Sequence, residues 1–198
     1  MNRPALAVAS LLALVALACE SRSVQEVAPV DPAPTPPNAV TETAYFAGGC
    51  FWGVEDVFAQ LPGVLDAQSG YQGGSVEDPS YEEVCGKKTG HAEAVKVVFD
   101  PARVSYRELL DVFFKNHDPT TLDRQGPDVG SQYRSAIFAA SPQQKEQAEQ
   151  WIRELTESRR FGARAITTTV EMAPPFYPAE DYHQDYHARH GGSCRVIR

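Results

Sequence analysis

The hydrophobic pattern along the chain changes period several times, and each change marks an element. Tyr45-Phe46-Ala47 reads as a short apolar strand. Phe51, Val54, Val57 and Phe58 then recur at helical spacing, and Leu61 closes the pattern before Pro62 stops it. Val64 to Tyr71 predicts a second strand. From His91 to Asp100 the chain alternates, with Val95, Val97 and Phe99 on one face, which predicts a third. Ser105-Tyr106-Arg107-Glu108 is a capping box, in which serine and glutamate satisfy orphan N–H groups reciprocally. It opens a helix with a buried stripe of Tyr106, Leu109, Leu110, Phe113 and His117. Tyr133 to Ala139 predicts another strand. Ser141-Pro142 supplies an N-cap and a proline at the first helical position, with Gln144 completing a second box. Ala148, Trp151, Ile152 and Leu155 share one face of that helix. Ile166, Thr168, Val170 and Met172 alternate as a further strand, which Pro174, Pro175 and Pro178 break. Ala179 to His187 predicts a last short helix before a Gly-rich tail.

The order is strand, helix, strand, strand, helix, strand, helix, strand, with no internal repeat. It predicts a two-layer α+β domain with a mainly antiparallel mixed sheet, a ferredoxin-like core and long functional loops. The loops are Gln72 to Gly90 and Asp118 to Gln132, both polar and glycine-bearing. Long loops inside a compact domain usually serve function, and these two are expected to converge on one site.

Residues before Ala44 follow a different pattern. Ala5 to Ala18 is almost wholly apolar after a single positive charge at Arg3. It is too short for a comfortable membrane span and reads as a secretory signal. Ala16-Leu17-Ala18-Cys19 resembles a bacterial lipoprotein box, with a plainly secreted chain as the alternative. Ser21 to Thr43 carries Pro29, Pro32, Pro34, Pro36 and Pro37, a composition that suits an extended tether. The expected organisation is a signal peptide at 1–18, an anchor cysteine Cys19 with a linker at 19–43, and a folded domain at 44–198. That places the domain in the bacterial cell envelope, on the periplasmic side and membrane-anchored.

Composition adds bounds. The 198 residues are 42% hydrophobic, enough for one sizeable core, and the net charge of −8 argues against a nucleic-acid partner. A monomer is expected.

The candidate chemistry centres on Cys50. Gly48 and Gly49 permit a tight turn from strand to helix and leave the sulfur uncovered. At a helix start, unpaired N–H groups and the dipole favour a thiolate. Phe51 and Trp52 supply an apolar wall. Thiol chemistry on a neutral, oxidised substrate also needs a proton donor for the departing oxygen. Glu93, at the start of a strand, and the phenols of Tyr81 and Tyr133 are the candidates.

Several segments share one resemblance. Gly49-Cys50-Phe51-Trp52-Gly53, Pro79-Ser80-Tyr81 with Val84-Cys85, Thr89-Gly90-His91-Ala92-Glu93-Ala94-Val95, Gln132-Tyr133-Arg134-Ser135 and Ala179-Glu180-Asp181-Tyr182-His183-Gln184 resemble, in register, the class A peptide methionine sulfoxide reductases. The resemblance implies that Cys50 attacks the sulfoxide sulfur and becomes a sulfenic acid as methionine leaves. It implies that Phe51 and Trp52 hold the substrate methyl group and that Glu93, helped by Tyr81 and Tyr133, protonates the oxygen. Asp128 matches a supporting acid near the pocket. The family acts on the S epimer, in oxidised methionine-containing proteins. No bound cofactor or metal is expected; the external reductant is a thioredoxin-like protein. Asp78 stands where many relatives have Asn.

Recycling needs a second thiol. Cys194, in the glycine-bearing tail, is the expected resolving cysteine, and Cys85 reads as a partly buried structural one. Two other readings stand beside these. His183, His187, His190 and Cys194 have spacings a metal could use, against a solvated helix end as the plain alternative. A hydrolase would pair Cys50 with His91 or His117.

Overall fold

The computed structural model describes residues 40–192. The elements are β1 (Glu42–Gly48), α1 (Phe51–Ala59), β2 (Val64–Gln72), α2 (Tyr81–Cys85), β3 (Ala92–Phe99), α3 (Tyr106–Lys115), β4 (Arg124–Gln125), β5 (Asp128–Val129), β6 (Ser135–Ala139), α4 (Pro142–Glu157), β7 (Thr169–Met172), β8 (Phe176–Pro178) and α5 (Tyr186–His190). Single 3-10 turns lie at Ser131–Tyr133 and Asp181–His183.

Six strands form one sheet in the order β7-β6-β1-β3-β2-β8, and β4 pairs with β5 separately. The inner four, β6-β1-β3-β2, are antiparallel throughout and have the ferredoxin-like order; only the β6–β7 pair is parallel. This is the expected α+β class and sheet.

Period-2 alternation places Phe46 of β1 and Val95, Val97 and Phe99 of β3 together on the face that the helices cover. There Phe46 stacks on Phe58 of α1 at 4.8 Å and meets Phe113 of α3 at 5.0 Å. Ala148 of α4 completes that core. The other face buries a smaller cluster of Ala47, Ala92, Ala94, Ala136 and Phe138. Ser105 and Glu108 form the predicted capping box on α3, and its stripe from Tyr106 to His117 is buried.

Several elements differ from the sequence reading. β1 begins at Glu42, two residues before Ala44, because its first residues still pair with Phe99 and Val98. The first loop contains α2, capped by a reciprocal Ser80–Glu83 box. The second contains the β4–β5 hairpin, and Tyr133 lies in a 3-10 turn before β6 instead of opening it. Ser141 does cap α4, but Gln144 does not close the box. Its carboxamide accepts from the Ala140 N–H and donates to the Thr43 carbonyl, stitching α4 to β1. β7 starts at Thr169, later than Ile166. The proline run that was expected to end pairing still supports β8, which pairs with the β2 edge through Gly70, Tyr71 and Gln72. Ala179 to His187 is not one helix: Asp185 takes a left-handed conformation (φ 53°, ψ 33°) that separates the 3-10 turn from α5.

Candidate active site

Cys50 ends the β1 turn and is the N-cap residue of α1. The turn requires glycine at two adjacent positions. A Cβ on Gly48 would meet Phe113 at 2.9 Å, and one on Gly49, where φ is +101°, would meet Gln125 at 2.6 Å. Gln125 is buried and grips the Asp118 backbone at both its N–H (3.0 Å) and its carbonyl (3.2 Å). The second long loop therefore rests directly on the turn that presents the thiol.

Glu93 follows the β3 alternation onto the helix-covered face and is 2% exposed. Its Oε2 accepts the Phe51 N–H at 3.0 Å, one of the donors left unpaired at the start of α1. Burial raises its pKa to about 7, against the opposing pull of that hydrogen bond and with the Asp128 charge adding to the rise. A carboxyl in this state is a proton donor near neutral pH.

The two long loops bring the phenols to the same place, as expected. Tyr133 has its pKa raised by burial and then by the nearby charges of Glu93, Asp128, Cys85 and Cys50. Tyr81, the first residue of α2, has its pKa raised by its hydrogen bond to the Cys85 thiol, then by burial. Both phenols stay protonated donors. Cys85 is half-buried.

The C-terminal segment builds the aromatic wall. Trp52 Nε1–H donates to His183 Nδ1 at 3.1 Å, and the indole stacks on Tyr186 at 3.7 Å with the planes 6° apart. Phe51 lies beneath, 1% exposed, against Tyr71 and His183. Glu180 fixes the segment from the other side, accepting from the Tyr71 hydroxyl and the Tyr81 N–H, each at 2.9 Å.

Sequence reasoning missed His183, Tyr186 and Glu180 as parts of this site. His183 was expected at a solvated helix end; instead it is 2% exposed and packed among Phe51, Trp52 and Tyr81. Among the described residues no group of three His, Cys, Asp or Glu side chains converges as metal ligands. The hydrolase pairing fails on geometry. His91 accepts from the Gly74 N–H and donates to the Val76 carbonyl. His117, fully buried with its pKa pushed down to about 4 by desolvation, donates to the Phe113 carbonyl and accepts from Ser135 Oγ. Both rings are spent on backbone and core. Cys19 and Cys194 lie outside the described residues.

A thiol at a helix start, a buried carboxyl held near neutral pKa against the adjacent peptide, and two phenols define a cysteine-based oxidoreductase. The family model for peptide methionine sulfoxide reductase matches residues 42–198. The peptide methionine sulfoxide reductase MsrA of Methanoculleus marisnigri is 51% identical over 162 residues, covering 81% of this chain and 98% of that one. Among solved structures, reduced Mxr1 from Saccharomyces cerevisiae superposes with a TM-score of 0.74 at 34% identity, covering 83% of this chain and 94% of that one. The same yeast protein in complex with Trx2 gives 0.52 at 26% identity, over 77% and 88% of the two chains. The chain belongs to the peptide methionine sulfoxide reductase family, and its activity is the thiol-dependent reduction of methionine sulfoxide, a protein-repair reaction.

Proposed function

We propose that Cys50, as thiolate, attacks the sulfur of a methionine S-sulfoxide whose methyl group rests against Trp52, with Phe51 backing the wall. The attack forms an Sγ–S bond as Glu93 delivers its proton to the oxygen, and Tyr81 and Tyr133 donate hydrogen bonds to that oxygen. The hydroxyl then passes from the substrate sulfur to Sγ as the substrate S–O and the Sγ–S bonds break. Methionine leaves reduced by two electrons, and Cys50, oxidised by two, is left as the sulfenic acid. Asp128 supports the arrangement by keeping negative charge near Glu93 and so favouring its protonated form. The observation that carries this reading is the Glu93–Phe51 contact, which holds the acid one peptide from the nucleophile. A stereochemically resolved assay with dithiothreitol tests it. The wild type should consume the S epimer, Cys50→Ser should be inactive, and near wild-type reduction by Cys50→Ser would end the reading.

For recycling, the Cys194 thiol attacks the sulfenic acid, releasing water and forming a Cys50–Cys194 disulfide, which a thioredoxin-like dithiol reduces. The yeast relative solved with Trx2 supports that class of reductant. Peptide mapping after one substrate equivalent should find the disulfide.

The organisation read from the sequence completes the proposal: signal peptide 1–18, lipid-modified Cys19 with its linker 19–43, and the catalytic domain from residue 44 onward, on the periplasmic side of the envelope. The apolar run, the cysteine that follows it and the proline-rich tether support it. No helix among the described residues is long and apolar enough to cross a membrane. Intact mass of membrane-extracted protein should include acyl chains; an unmodified Cys19 on a soluble mature form would leave a secreted enzyme.

A further inference from the structure

Glu55 is a buried carboxyl with no role in the chemistry above. It lies on the buried face of α1, four residues after Phe51, and is 2% exposed. A charged side chain at such a position is costly unless its oxygens are satisfied. Here the partners are backbone amides. Oε1 accepts the Ser69 N–H of β2 at 3.3 Å, and Oε2 accepts the Asp185 N–H at 3.1 Å.

The Asp185 contact is the informative one. Asp185 is the left-handed residue that reverses the chain between His183 and Tyr186, the two rings holding the Trp52 indole. Trp52 and Glu55 are three residues apart on α1 and so share a face. One turn of helix thus presents the indole to both rings and the carboxylate to the peptide between them. Gln184 reinforces the same corner. Its carboxamide accepts from the Ser69 N–H and donates to the Ser69 carbonyl, both at 3.0 Å, and also donates to the Ala179 carbonyl at 2.8 Å. Neighbouring strand and C-terminal segment are therefore pinned to α1 at one point.

We infer that Glu55 is a positioning residue for sulfoxide reduction: it clamps the Asp185 corner and thereby fixes the Trp52 indole between His183 and Tyr186. Its consequence for activity rests on the reading of Trp52 as the wall of the methyl pocket. The clamp itself does not, and can be read separately. The chain has two tryptophans, and Trp151 lies on α4, away from this corner. In a Trp151→Phe background the emission therefore reports Trp52 alone.

Glu55→Gln keeps the shape but turns one oxygen into a donor facing an N–H. It should shift and broaden Trp52 emission and raise KM for methionine sulfoxide on the order of tenfold, with kcat in dithiothreitol within about twofold. Glu55→Asp, which keeps the charge but shortens the reach, should give the same signature and serves if the amide variant does not fold. Adding Tyr186→Ala should abolish the effect of either Glu55 change, because residues acting as one unit are not additive. Unchanged emission in the folded variants, or an effect that persists fully in the Tyr186→Ala background, would overturn the clamp. An emission shift with KM unchanged would support the clamp and remove Trp52 from the substrate wall.

Discussion

The Glu93 carboxylate accepts the N–H of the peptide that joins Cys50 to Phe51, at 3.0 Å. Acid and nucleophile are thereby fixed to one rigid unit, the first turn of α1. The same hydrogen bond favours the ionised carboxylate, and burial overrides it. The position of Glu93 is thus set by the helix start, and its protonation by desolvation.

This arrangement sets the pH dependence of the first step. With its pKa at about 7, Glu93 is largely protonated below that pH and largely ionised above it. The single-turnover rate of sulfenic acid formation should carry a limb that falls as pH rises through about 7. Glu93→Gln should slow the step on the order of a hundredfold or more and lose that limb. Rapid-quench measurements between pH 5.5 and 9 would check both. An unchanged profile would remove Glu93 as the acid.

The same shift acts on stability, with a definite sign. The folded-state pKa of Glu93 is raised above the ordinary value of 4.5, so its contribution is fully present below pH 4.5 and lost as pH rises through about 7. Glu55, also raised to about 7 by burial, acts in the same direction. At Glu93 the loss is on the order of 3 kcal/mol. Glu93→Gln, whose carbonyl still accepts the Phe51 N–H, should therefore unfold at a higher denaturant midpoint than wild type at pH 8, with the gain shrinking toward pH 5. Chemical denaturation at the two pH values measures the difference.

Gly49→Ala should be costly out of proportion to its size. The alanine backbone must hold φ +101°, its methyl group meets the Gln125 side chain at 2.6 Å, and Gln125 cannot swing away without releasing Asp118. A destabilisation of about 2–4 kcal/mol is expected, with activity falling further than stability because the thiol itself is displaced. Comparing the thermal midpoint with the dithiothreitol-supported rate in the folded fraction separates the two effects.

Cys194→Ser should complete one round of reduction and then stall with a thioredoxin-type reductant, while dithiothreitol partly restores turnover. Normal turnover by this variant, coupled with failure of Cys85→Ser, would move the resolving role to Cys85. The hydrogen bond of Cys85 to Tyr81 makes a second outcome readable. Cys85→Ser should retain recycling but alter the pH profile of the first step.

Where one face carries large apolar side chains at a steady period, the element's identity was legible. Val95, Val97 and Phe99 mark β3, Tyr106, Leu109, Leu110 and Phe113 mark α3, and the Ser105–Glu108 box marked the start of α3. The equivalent Ser80–Glu83 box was passed over because α2 is five residues long and buries only Val84, too short for any period to emerge. The C-terminal segment failed differently. Its single-residue reversal at Asp185 has no signature in a run of polar and aromatic residues, and its fixed points, His183 and Gln184, belong to types ordinarily met on surfaces. Glu55 sat in plain view on the apolar stripe of α1, where a charge at an i+4 position from Phe51 was the available signal. Cys50 and its turn were readable from physical chemistry, whereas the role of Glu93 came from the family resemblance and its protonation state only from the depth at which β3 places it.

The direction of β1 also decides what the nucleophile is built on. The strand runs seven residues, from Glu42 to the glycine turn that presents Cys50. At about 3.3 Å per residue, that is a span on the order of 20 Å. β3 pairs along one side of it and β6 along the other, so the thiol is carried at the tip of a strand braced on both edges. A cysteine that must be attacked, oxidised and reduced in every cycle thus returns each time to the same place.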